Sequence, residues 1–183
     1  MQVSGNAWLI AQEFKACIGH LREGILAQPS VSSISQWIIT LMPQSGIFQD
    51  QILTCRISFE NFPASVPRIV FQQGTLHPMI CPDGHFDCSE MFTDWSIDNH
   101  VYTLLNFVFD SFVNITIPNR VSVPNTEAAL LLRKSKDAFR KKALKMLPDP
   151  PSPLELSEQN APKMWTPQKE RVAKILARQT AKS

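Results

Sequence analysis

Two histidines and two cysteines fall within a twelve-residue stretch of the 183-residue chain: His77, Cys81, His85 and Cys88. Imidazole nitrogens and thiolates are zinc ligands, so the run His-x3-Cys-x3-His-x2-Cys invites a metal reading. The spacing is compact but lacks the standard pairs of closely spaced ligands, and the expectation is no metal and no cofactor. The same side chains also suggest a nucleophile with its base, Cys88 beside His85 or His100. A chain with four histidines and four cysteines offers such pairs freely, however, and no recognisable oxyanion site accompanies them here.

The segment that carries these residues, 72 to 99, has little periodicity and reads as a long ordered loop, so neighbouring elements must hold it. Before it, Ala7, Ile10, Phe14, Cys17, Ile18 and Leu21 recur at helical spacing, with Gln12, Glu13, Lys15 and His20 on the other side. Short extended pieces follow at Ile25 to Gln28 and at Gln36 to Met42. Leu53, Cys55, Ile57 and Phe59 then alternate with Thr54, Arg56 and Ser58, a strand with one wet face, and Ile69 to Phe71 makes a fourth. After the loop, Asp98 or Asn99 is placed to cap a helix in which Val101, Leu104, Leu105, Val108 and Phe112 repeat at intervals of three and four. Pro124-Asn125 opens another, expected to run to about Leu147 on a stripe of Ala128, Leu132, Phe139, Ala143 and Leu147. The expected fold class is α+β: an N-terminal helix, a four-stranded antiparallel meander, the loop and two C-terminal helices.

Pro148, Pro150, Pro151, Pro153 and Pro162 then forbid a helix and imply an extended linker. Thr166 as cap and Pro167 as first helical residue introduce an extra terminal helix carrying Val172, Ile175 and Leu176. The domain organisation expected is therefore 1–147 for the folded domain, 148–164 for the linker and 165–183 for a helical tail. Trp165, just after the linker, must dock on the domain itself or on a partner, and the stripe Val172, Ile175, Leu176 suits a groove or a coiled coil elsewhere. Trp8, Trp37 and Trp95 are expected in the core or packed under the loop.

Composition sets the bounds. With 44% apolar and 19% charged residues the chain can bury a real core. A net charge of +2 does not suggest a general nucleic-acid or membrane binder. The basic run of Lys134, Lys136, Arg140, Lys141, Lys142 and Lys145 reads as a solvated face, with acidic lipid or nucleic acid as the other reading. The apolar stretch Ala7 to Ala11 is too short to span a bilayer or serve as a secretory signal, so no integral membrane segment is expected. Four scattered cysteines do not make a disulfide framework, which points to a reducing cytosol.

The run His77-Pro78-Met79-Ile80-Cys81-Pro82-Asp83-Gly84-His85-Phe86-Asp87, followed by Trp95-Ser96, resembles the active-site stretch of ubiquitin-conjugating enzymes. In that family the pattern is His-Pro-Asn, a short loop, Gly-x-Ile-Cys and then Trp-Ser-Pro. Phe62-Pro63 with Val66-Pro67 is similar to its Tyr-Pro-Phe-x-x-Pro-Pro segment. A closer resemblance is to the fused-toes and crossbronx group of cysteine-lacking variants, which includes Akt-interacting protein-like members. It is carried by Gly24 to Ser30, Gly46 to Asp50, Gly84-His85-Phe86-Asp87, Pro124 to Ala129 and Trp165-Thr166-Pro167.

The resemblance implies a ubiquitin-conjugating fold in which Asp87 stands at the cysteine position and Met79 at that of the loop asparagine. His77, Pro78, Gly84 and Trp95 are then structural loop residues. A carboxylate is a weak nucleophile whose acyl product is a labile anhydride, and a thioether donates no hydrogen bond. Losing an oxyanion donor costs on the order of 100-fold in rate. The expectation is a pseudoenzyme. The resemblance further implies a cytoplasmic adaptor, peripheral on endosomes or vesicles, that binds a Hook-type coiled-coil protein in vesicle and endosome transport. The alternative is an inactive cofactor that pairs with an active conjugating enzyme and orients ubiquitin. An enzyme working through Cys88, one residue past the expected position, is the third reading; adjacent side chains of an extended segment point oppositely, which speaks against it.

Overall fold

Alternating burial along the strands, matched by apolar and polar side chains most cleanly in Leu53–Ser58, shows which face of the sheet is dry. A computed structural model describes residues 5–30, 32–119 and 122–149 of the chain. Its strands β1 (Ile25–Pro29), β2 (Gln36–Leu41), β3 (Leu53–Ser58) and β4 (Arg68–Phe71) form an antiparallel sheet in chain order, the expected meander. The register sets Ile25 opposite Leu41, Ile39 opposite Cys55 and Ile57 opposite Ile69, all of them buried. A slip of one residue would turn this whole apolar set to solvent.

Helix α1 (Gly5–His20) precedes the sheet and α2 (Val101–Val113) follows the loop. Leu104, Leu105, Val108 and Phe112 of α2 are fully buried in the same core as the sheet, and Phe112 meets Phe71 of β4 at 5.0 Å between ring centroids. Each such side chain contributes roughly 1.5–3 kcal/mol through burial. From α1, Ile10 and Cys17 enter the core and Phe14 packs edge-on against Trp37 of β2.

Three expectations are corrected. Trp8 is 62% exposed and Ile18 46% exposed, because both lie on the side of α1 turned from the sheet. Neither Asp98 nor Asn99 caps α2: the cap residue is His100, whose side chain makes no capping bond, and the Val101 N–H instead donates to Glu13 of α1 at 2.8 Å. The helix after Pro124-Asn125 is two helices, α3 (Thr126–Lys134) and α4 (Lys136–Met146). Ser135 between them is extended, donates its N–H to the Leu131 carbonyl and accepts from the Ala138 N–H through Oγ. One serine thus ends the first helix and caps the second. Asn125 caps α3 by accepting from the Ala128 N–H at 2.9 Å. The linker from residue 150 and the tail with Trp165, Thr166, Pro167, Val172, Ile175 and Leu176 lie outside the described residues.

Candidate functional site

His77 anchors the loop. Its ring is wholly buried between Phe86 and Phe112, 4.6 Å from the latter's centroid. Nδ1 accepts from the Met79 N–H at 3.1 Å, which leaves Nε2 to donate to the Ser111 carbonyl of α2 at 3.1 Å. Both nitrogens are thereby committed to backbone, and burial pushes the pKa down to about 4, so the imidazole is neutral and in one tautomer. A ring so engaged has no lone pair for zinc. Among the described residues no group of three or more His, Cys, Asp or Glu side chains is arranged to hold a metal ion.

Pro78 follows, and its carbonyl accepts from the Asn125 N–H at 3.1 Å, tying the loop to the start of α3. Gly84 closes the turn at φ +85°, with its carbonyl accepting from the Phe71 N–H at 2.9 Å. A β-carbon there would stand 2.7 Å from the Phe71 carbonyl oxygen, so only glycine fits both the backbone conformation and the approach to β4. Beyond it the chain pairs with β4 through His85 and Val70, and with itself through Phe86 and Ile80. Asp83 accepts from the His85 N–H and faces Arg68 at 3.1 Å, and these donors hold its carboxyl below the usual carboxylate range.

Past this frame the polar groups begin. Asp87 donates its N–H to the Met79 carbonyl at 2.8 Å, and its Oδ1 accepts from both the N–H and the hydroxyl of Ser89, at 2.9 and 2.6 Å. The Met79 side chain is turned inward and only 5% exposed. Cys88 is also 5% exposed, and burial, with the Asp87 charge behind it, pushes its thiol up to about 11. A thiol so placed is protonated at neutral pH and presents little thiolate for attack. Asp87, Cys88, Ser89 and His85 border a depression of about 350 Å³ together with Arg68 and Phe92. His85 Nδ1 lies 3.2 Å from the Ile69 carbonyl, and His100 pairs with Glu13 at 3.1 Å on the α1 side, so neither histidine is held toward Cys88 by these bonds.

Trp95 is half-buried, packed against Phe92 and Phe62 with ring centroids 5.4 and 6.4 Å away. The structure thus brings His77, Pro78 and Gly84 into one buried frame, with Trp95 in an aromatic cluster beside it. Nothing in the local sequence singles out Glu13 from the other polar residues on its side of the helix. Its side chain is only 12% exposed and joins α1 to the N-terminus of α2 through His100 and Val101. No helix among the described residues is long and apolar enough to cross a membrane.

Residues 9–147 match the family model of the ubiquitin-conjugating enzymes. Curated relatives include a crossbronx homolog of Anopheles gambiae, 35% identical over 124 residues, covering 63% of this chain and 54% of that one. Another is the crossbronx protein of Drosophila virilis, 26% identical over 140 residues, 71% of this chain and 57% of that one. The chain spans about half the length of these relatives. Among solved structures, one described as a novel ubiquitin-conjugating enzyme superposes with a TM-score of 0.66 at 18% identity, over 79% of this chain and all of that one. Ubc12 of S. cerevisiae gives 0.64, also at 18% identity, over 79% of this chain and 80% of that one. At that identity the likeness is one of fold. The chain belongs to the ubiquitin-conjugating enzyme family, as a variant of the crossbronx type.

Proposed function

We propose that this protein is a pseudoenzyme: Asp87 occupies the place of the lost nucleophile, Met79 that of the lost asparagine, and the domain recognises partners without transferring ubiquitin. The observation that carries this reading is the state of the thiol adjacent to Asp87. Cys88 is buried and its thiol is raised to about 11, so the cysteine next to the lost nucleophile position is protonated and poorly nucleophilic at neutral pH. Trapping with activating enzyme, ATP and ubiquitin tests it. The expected result is no reducible adduct on the wild-type chain; an adduct that disappears in Cys88→Ser overturns the reading.

As an interaction module the domain serves as an adaptor, held to a Hook-type coiled-coil protein in vesicle and endosome transport, in the cytoplasm and peripherally on those membranes. What supports this is the resemblance to the fused-toes and crossbronx group. In the division we propose, residues 1–147 form the ubiquitin-conjugating-like domain, 148–164 a linker, and 165–183 a tail in which Trp165, Val172, Ile175 and Leu176 meet the partner. Pull-down of a Hook-type coiled-coil protein, compared with Trp165→Ala, is the measurement. Absence of the complex under conditions where a family relative forms it counts against the role. Recovery of active conjugating enzymes and ubiquitin chains in place of motor adaptors favours the cofactor reading.

A further inference from the structure

Charge is unevenly divided over the molecule. Residues 126–146 hold seven basic and two acidic side chains, a surplus of five, while the whole chain carries only +2, so the remainder is net negative. Each helix of this hairpin turns small or apolar residues to the domain: Ala128, Ala129 and Leu132 from α3, Phe139 and Ala143 from α4. Arg133, Lys134, Lys136, Arg140, Lys141 and Lys145 are exposed, and none of them joins an ion pair among the described residues. Only Lys142 is neutralised, by Glu127 across the hairpin. Asp137 is the other acid in the segment, four residues before Lys141.

Two further facts narrow the partner. Lys136 with Arg140, and Lys141 with Lys145, are like charges four residues apart on one helix face, an arrangement that weakens an isolated helix and is relieved by an external anion. Leu130, one helical turn before Lys134, is 64% exposed, and Met146, next after Lys145, is 42% exposed. A lysine-rich surface carrying exposed aliphatic side chains suits a lipid headgroup layer, where the charges meet phosphate and the apolar side chains reach the acyl boundary. The segment's one aromatic, Phe139, is buried, so bases find nothing on which to stack.

We infer that the α3–α4 hairpin is a docking surface for an anionic membrane, with Lys134, Lys141 and Lys145 supplying charge and Leu130 a shallow apolar contact. The inference concerns the peripheral membrane location proposed above but needs no protein partner to be tested. Vesicles of pure lipid carry no coiled-coil protein, so a failed pull-down and a failed vesicle assay are separate results.

The test is co-sedimentation of the full chain with phosphatidylcholine vesicles, with and without phosphatidylserine. Binding is expected only to the anionic vesicles and should decline with added salt. Lys134→Gln, Lys141→Gln and Lys145→Gln are each expected to weaken it about fivefold, and the triple variant on the order of a hundredfold. These substitutions remove exposed charges, so melting temperature should hold. Lys15→Gln, an exposed lysine of α1, should bind as wild type. No sedimentation with anionic vesicles at low salt overturns the inference. So does a folded triple variant that binds like wild type, or duplex DNA that displaces the vesicles.

Discussion

The two halves of the loop between the sheet and α2 obey different rules. Between His77 and Phe86 the buried polar groups are spent on the fold itself, both His77 nitrogens on backbone, the Pro78 carbonyl on α3 and the Gly84 carbonyl on β4, while the exposed Asp83 bonds to the nearby His85 N–H and to Arg68. From Asp87 to Asn99 the side-chain groups are spent locally and near water, Asp87 on Ser89 and Asn99 on the Ser96 N–H, although the Asp87 N–H reaches back to the Met79 carbonyl. The buried frame of the first half, His77, Pro78 and Gly84, cannot change without disturbing its ties to α2, α3 and β4. The exposed polar positions of the second can alter their chemistry at little cost to stability, as the proposed reassignment of a nucleophile position requires.

The largest expected effect lies in the buried half. Gly84→Ala places a β-carbon against the Phe71 carbonyl at a φ that L-residues avoid, and should cost roughly 3–4 kcal/mol of unfolding free energy by chemical denaturation. A loss below about 1 kcal/mol would mean that the frame is pliable and that the contrast fails.

Acid gives the next effect. His77 titrates near 6.5 when unfolded and near 4 when folded, so the unfolded chain binds the extra proton between those values. Stability from the neutral ring is whole above pH 6.5 and is lost as pH falls toward 4, by about 3 kcal/mol across the window. Unfolding free energy measured from pH 7 to 4 should show this slope, and His77→Gln, though less stable throughout, should lack it.

A smaller loss, on the order of 1 kcal/mol, is expected for Glu13→Gln, which keeps an acceptor for the Val101 N–H but gives up the charge facing His100. Amide exchange at Val101 is the local readout. Glu13 also marks where the sequence stops being legible. Strand alternation, the helical stripe of α2 and the His77-Pro78 and Gly84 signals announced the sheet, the second helix and the frame, because each depends on local pattern or on a backbone conformation that one residue type allows. The capping of α2 by a residue 88 positions away leaves no local pattern, and it displaced the nearer candidates Asp98 and Asn99. The break at Ser135 was hidden for a related reason. Leu132 and Phe139 lie two helical turns apart, so the apolar stripe reads straight through a serine that could equally cap or sit mid-helix. Burial of Cys88 was likewise outside the reach of spacing, since it depends on the turn in which the Met91 and Phe92 N–H groups close onto the Cys88 carbonyl.

The smallest expected effect bears most directly on the comparison. Asp87→Asn retains an oxygen at the Oδ1 position for the Ser89 N–H and hydroxyl, and an asparagine makes the same short turn. What it removes is one negative charge, on a side chain that is only half-buried and therefore partly screened. The expected change in stability is about 0.5 kcal/mol or less. The same substitution removes the carboxylate that helps hold the Cys88 thiol protonated, so the thiol should become modestly quicker toward iodoacetamide while remaining slowed by burial. A loss of about 2 kcal/mol or more would put Asp87 among the frame residues beside His77. The acid would then be a structural requirement of this loop, and its presence at the proposed nucleophile position would follow from folding alone.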